Sequence, residues 1–152
     1  MRILVCGSRN WQHKDIIRFC LQYFTFNANI EYVIEGEALG ADSLSREAAK
    51  DLDIPVLKFP AEWEKYGKAA GPIRNKQMLE EGKPDYILAF HNDIQKSKGT
   101  VNMIKQAEKS GIPGKLIGVN FDIKTMKKKI KIIKSWGKDF VEDNKFSQSA
   151  VC

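Results

Sequence analysis

The sequence has little of what would fix it chemically. Its 152 residues include three cysteines (Cys6, Cys20, Cys152), two histidines and five prolines. Three cysteines cannot pair completely, and none shows CxxC spacing, so a disulfide scaffold is excluded and reduced, cytosolic thiols are expected. No His/Cys cluster has the spacing of metal ligands, so neither a metal nor a cofactor is expected. No apolar run approaches the roughly 20 residues of a membrane span. The apolar stretch at 3–6 is too short for the core of a signal peptide. A cytoplasmic protein without a membrane partner is the expectation. There is no GxGxxG fingerprint, no internal repeat, and no Ser or Cys obviously paired with a histidine as nucleophile and base.

What is present is ordinary for a globular protein: 43% hydrophobic and 29% charged residues, with a net charge of +6. The length suits one domain with its own core. The charge is unevenly placed. Residues 122–152 hold eight lysines against four acids and so carry +4 of the +6, leaving the first 121 residues nearly balanced. Ile123, Met126, Ile130 and Ile133 recur at i, i+3, i+7 and i+10, one face of a helix. The expectation is a basic covering helix over 120–138 with its lysines toward water, followed by a loosely held polar tail at 139–152.

Upstream, short continuous apolar runs at 3–6, 32–34, 56–59, 86–90 and 116–119 read as strands covered on both faces. Amphipathic stretches lie between them, with apolar stripes through Ile16, Phe19, Cys20, Tyr23 and Phe24, then Ala41, Leu44, Ala48 and Leu52, then Ala70, Ile73 and Met78, then Val101, Ile104 and Ala107. Each strand–helix pair has the size of a βαβ unit. The fold predicted is α/β: a doubly wound, mostly parallel five-stranded Rossmann-like sheet with helices on both faces, formed by a single domain over 1–138.

In such sheets ligands bind outside the carboxyl ends of the strands. After the first strand come Gly7, Ser8, Arg9 and Trp11: a turn, a hydroxyl and a guanidinium able to hold phosphate, and an indole that could stack on a base or cover the core edge. After the second come Gly36, Glu37, Gly40, Ala41 and Asp42 at the start of a helix, either an anion site or a plain helix entry. After the third come Trp63 and then Arg74 and Asn75, on a helix face shared with Ile73 and Met78, where an arginine needs an anionic partner. After the fourth, Ser97, Lys98, Gly99 and Thr100 open a helix, as a phosphate cradle or simply as its cap. His91 stands alone in its loop, and His13 opens the first helix. Together these point to an anionic small molecule, most naturally a nucleotide.

Six short motifs in register carry a resemblance. Gly7-Ser8-Arg9-x-Trp11, Gly36-x-Ala38-x-Gly40-Ala41-Asp42, Phe59-Pro60-Ala61-x-Trp63, Ala70-Gly71-Pro72-Ile73-Arg74-Asn75-x-x-Met78, Pro84-Asp85 with Ala89-Phe90, and Ser97-Lys98-Gly99-Thr100-x-x-Met103 together resemble the YspA-like family of the SLOG superfamily, over about residues 1–120. The resemblance implies a Rossmann-like domain binding nucleotides or nucleotide-derived ligands. Relatives include the LOG phosphoribohydrolases, which release a base from a nucleoside monophosphate, and the DNA-processing proteins that bind single-stranded DNA. Against the LOG pattern, Arg74 and Gly99-Thr100 are kept, but Met103 stands where the LOG glutamate would be, which argues against LOG-type hydrolysis. Self-association is common in the superfamily, so the resemblance implies a homodimer.

Three functions follow as expectations. The first is a sensor or sequestering module in which Arg9, Arg74 and the 97–100 turn hold phosphate while Trp11 or Trp63 meets the base or ribose. The second is an N-glycosidase or ribosyl-transfer enzyme on a nucleotide, with Glu37 or Asp42 as its acidic group. The third is a DNA- or RNA-binding protein using the lysines of the expected covering helix.

Overall fold

In the computed structural model the described residues are 1–138, Phe146 and Ala150–Val151. The chain runs β1 (Arg2–Gly7), α1 (Lys14–Asn27), β2 (Tyr32–Glu35), α2 (Ala41–Asp51), β3 (Val56–Lys58), α3 (Trp63–Tyr66), α4 (Ala70–Glu80), β4 (Tyr86–Phe90), α5 (Lys98–Lys109), β5 (Gly114–Asp122), β6 (Lys127–Trp136) and β7 (Ala150–Val151). The sheet order is β3-β2-β1-β4-β5-β6-β7, with β1 to β5 parallel and β6 and β7 antiparallel to their neighbours. The five expected strands are all present and parallel. The order reverses at β1/β4, the switch point of a doubly wound sheet, so the loops following β1 and β4 diverge there and leave space for a ligand.

The core lies in two layers. α1 and α2 bury Ile16, Ile17, Cys20, Leu21, Phe24, Ala41, Ala48 and Ala49 on one face, and α4 and α5 bury Met78, Leu79, Met103, Ile104 and Ala107 on the other. β4 (YILAF) is buried at every position, which is why its sequence shows no alternation. The stripe expected on α4 is rotated: Asn75, Met78 and Leu79 face inward, while Ile73 is 41% exposed.

The covering helix expected over 120–138 is a β-hairpin. β5 and β6 pair from Asp122↔Lys127 to Gly114↔Trp136. Three of the four residues that suggested a helix face are exposed: Ile123 and Met126 flank the hairpin turn, and Ile133 is the extra residue where the register shifts. That shift explains both the structure and the misleading period. Before it, Lys128, Ile130 and Ile132 point to the α1 side, with Lys128 reaching Asp15 at 2.7 Å. After it, Lys134 and Trp136 point to the α5 side, with Lys134 reaching Glu108 at 2.6 Å. A single inserted residue moves the alternation to the opposite face. Most of the tail expected at 139–152 lies outside the described residues. Within it, Phe146 is fully buried against Phe19, Tyr23 and Phe24.

Candidate functional site

An open cleft of about 330 Å³ lies at the carboxyl end of the sheet, lined by Arg9, residues 36–39, Pro60, Ala61, Trp63 and Arg74. Four segments meet there: the loops after β1, β2 and β3, and the first turns of α4. Arg9 lies over the Trp63 ring at 5.9 Å. Trp63 is half exposed, so much of its indole surface remains open to a planar ligand. Arg74 reaches across the cleft to donate from Nη1 to the Gly36 carbonyl, and from Nε to Asn75 Oδ1 at 3.2 Å. The arginine expected to need an anionic partner donates to two neutral oxygens and has the buried Asp42 carboxyl as its electrostatic neighbour. Among the described residues neither Arg9 nor Arg74 has an ion-pair partner within 4.0 Å, whereas Arg2 and Arg46 do.

The loop after β2 is held from beneath by two buried carboxylates. Asp42 Oδ2 accepts from Gly36 N (3.0 Å) and Ala38 N (3.3 Å), and Glu35 Oε2 accepts from Glu37 N (2.7 Å). Glu35 is further paired with Arg46 at 3.1 Å. Burial pushes both carboxyls above their ordinary range, partly opposed by Arg74 at Asp42 and by these hydrogen bonds. The Ala41 amide donates to the Ser8 carbonyl at 3.0 Å. The amides of Gly36, Glu37, Ala38 and Ala41 are therefore committed internally. Two glycines permit this packing. A Cβ on Gly36 would fall 2.2 Å from Arg74 Nη1, and Gly40, at φ +75°, would fall as near to the Ser8 carbonyl oxygen.

The remaining expected residues lie nearby in different roles. Gly7 ends β1 beside Phe90. Trp11 is 4% exposed, tilted against Phe90 with its indole N–H donated to the His13 carbonyl, so it belongs to the core edge and Trp63 is the aromatic of the cleft. Ser97, rather than Thr100, caps α5. Its Oγ accepts from Thr100 N at 3.2 Å and lies 2.8 Å from the Thr100 hydroxyl. Residues 97–100 do not line the cleft but adjoin it: Asn75, next to Arg74, donates from Nδ2 to the Gly99 carbonyl at 3.2 Å and to Asn102 Oδ1 at 3.1 Å. Lys98 and Gly99 are exposed at this turn. Asn75 is thus a strut between α4 and α5 rather than an open contact. The sequence alone offered no sign of it, since only the contact partners distinguish it from a surface amide.

A second cleft, about 240 Å³, opens at the β1/β4 switch point between Ser8, Asn10, Trp11, Gln12, His13, His91, Asn92 and Asp93. Burial lowers the pKa of both histidines, which favours their neutral form, and His91 Nδ1 accepts from Asp93 N at 2.9 Å. Among the described residues no group of three or more His, Cys, Asp or Glu could hold a metal, and no helix is long and apolar enough to cross a membrane. Cys6 and Cys20 are buried, and burial pushes both thiols far up.

The profile of the YspA, cpYpsA-related SLOG family matches residues 1–66. The Gene 61 protein of Mycobacterium phage D29 is 31% identical over 118 residues, covering 74% of this chain and 92% of that protein. The matched family segment contains Arg9, the 36–42 loop and Trp63. Arg74 is supplied to the same cleft from beyond it.

Proposed function

Starting from a chain that belongs to the YspA, cpYpsA-related SLOG family, we propose that the cleft between the 36–39 loop and α4 binds a nucleotide or nucleotide-derived small molecule through its phosphate, as a sensor or sequestering module. The observation carrying this reading is the pair Arg9 and Arg74: two guanidiniums lining one cleft, neither ion-paired among the described residues, beside a half-exposed indole. Guanidinium matches phosphate in bidentate geometry. A base can stack on the Trp63 ring while its phosphate meets the arginines. Lys98, exposed at the adjoining turn, adds positive potential.

Cleavage of the ligand is a second reading, favoured by one observation: Glu37, an acidic residue, lines the cleft. Against it, Met103 is fully buried in the core, so the LOG glutamate position supplies no acidic group.

The test is a thermal-shift and calorimetric screen over nucleoside mono-, di- and dinucleotides. A ligand at about 100 times its Kd should stabilise the native state by about 2.7 kcal/mol. Arg74→Ala should weaken binding about tenfold or more, the worth of one charge-assisted contact. No stabilisation by any phosphate-bearing nucleotide would overturn the proposal. Chromatography of the incubated ligand separates its two forms, since intact ligand means a binder and free base means an enzyme.

A further inference from the structure

Among the described residues Glu37 is the one acidic residue lining the Arg9–Trp63–Arg74 cleft. Its placement is enforced. Glu37 sits at φ +57°, a left-handed conformation that costs a non-glycine residue about 1 kcal/mol. Three successive amides, those of Gly36, Glu37 and Ala38, are fixed by the buried carboxylates of Asp42 and Glu35. The Asp42 and Glu35 carboxyls are thus turned beneath the loop, while Glu37 lines the cleft with a side chain about one-third exposed.

A carboxylate has no use for phosphate and repels it. An ionised carboxylate is purely an acceptor, with two oxygens suited to a pair of O–H donors. Within a nucleotide the hydroxyls of the ribose are the groups that match. Repulsion from Glu37 and attraction to Arg9 and Arg74 would keep the phosphate on the guanidiniums and leave the sugar hydroxyls as the groups suited to Glu37. Resting on the reading of this cleft as a nucleotide site, we infer that Glu37 accepts hydrogen bonds from the ribose hydroxyls and makes the site selective for ribonucleotides over 2′-deoxyribonucleotides.

Glu37 also faces Lys58 across 3.7 Å. That contact is partly exposed and long, so it is worth little by itself, but it offers a purely structural role that the experiment must separate. The 5′-mono- and diphosphates of the four ribonucleosides, each with its 2′-deoxy counterpart, are titrated calorimetrically into wild type, Glu37→Gln and Lys58→Met. In wild type the best ribonucleotide should bind about tenfold or more tighter than its deoxy form, as expected for a charge-assisted hydrogen bond. Glu37→Gln should erase the ratio between the two sugars, with the deoxy form bound at least as well as by wild type once the repulsion of its phosphate is gone, while Lys58→Met leaves the ratio intact. Equal binding of both sugars by wild type, an equal loss for both in Glu37→Gln, or a ratio abolished by Lys58→Met would overturn the inference. Binding of no nucleotide at all by wild type would instead remove the nucleotide reading itself, and this inference with it.

Discussion

The loop after β2 and the strand β6 are both dense in charge, yet the fold uses that charge in opposite ways. In the loop, Glu35 and Asp42 are buried and take up three consecutive backbone amides, so the ions are part of the local architecture. On β6, lysines stand at or near the surface, and three pair there, Lys128 with Asp15 at 2.7 Å, Lys129 with Asp122 at 3.0 Å and Lys134 with Glu108 at 2.6 Å. A buried acceptor cannot be removed without orphaning its donors, whereas an exposed pair exchanges protein for water at little cost. The loop that lines the cleft is therefore held by buried carboxyls, while the densest run of lysines lies at the surface of β6. What the C-terminal segment does contribute is apolar.

The largest effect expected follows from that last point. Phe146→Ala removes a fully buried ring from the cluster of Phe19, Tyr23 and Phe24. Truncations of this kind cost about 3–5 kcal/mol, which at about 2–4 °C per kcal/mol lowers the melting temperature by about 6–20 °C. A change of only a degree or two by calorimetry would mean that the C-terminal segment is dispensable and that the two regions are independent in stability as well as in charge.

An intermediate effect is expected at Asp42, and its sign depends on pH. Burial raises the Asp42 carboxyl above its ordinary value of 3.8. The native state therefore takes up this proton before the unfolded chain does, and wild type gains stability as pH falls from above the raised value toward 3.8. Asp42→Asn keeps an oxygen for the amides of Gly36 and Ala38 but cannot gain that proton. The melting temperature of wild type minus that of Asp42→Asn should therefore rise as pH is lowered from 7 to 4. Parallel curves would show that Asp42 is not held as a buried ion. Asp42→Ala, which orphans both amides, should cost about 1–3 kcal/mol at pH 7.

The inner parallel strands were legible because covered strands have no reason to alternate, and β4 is buried at all five positions, whereas the edge strand β3, expected to be covered on both faces, leaves Leu57 and Lys58 exposed. The ring of loops at the sheet edge followed from topology alone. β6 was hidden by its own irregularity: with Ile133 inserted, the isoleucines fall at spacings that fit a helix, and only pairing with β5 reveals two short alternating runs on opposite faces. Trp11 and Trp63 look alike in sequence, each following a turn after a strand. Packing against Phe90 assigns the first to the core, and the overlying Arg9 assigns the second to the cleft. The internal clamp of Asp42 and Glu35 had no sequence signal beyond acids near glycines, because which amide an acid accepts depends on loop geometry that composition does not encode.

The smallest effect should come from the residues most conspicuous in the sequence. Lys124, Lys127 and Lys131 make no ion pair among the described residues, and all three are exposed. Changing all three to glutamine removes half of the net +6, yet surface substitutions of this kind usually stay within about 0.5 kcal/mol each. The melting temperature should move by no more than a few degrees, and nucleotide affinity at the Arg9–Arg74 cleft should hold within about twofold at physiological salt, where charges beyond about 8 Å are largely screened. Retention of single- or double-stranded DNA is the discriminating readout. Binding that depends on these lysines would fall steeply with salt and disappear in the triple variant. Such a result would make β6 an interface in its own right and break the division between a structured, recognising cleft and a merely solvated basic edge.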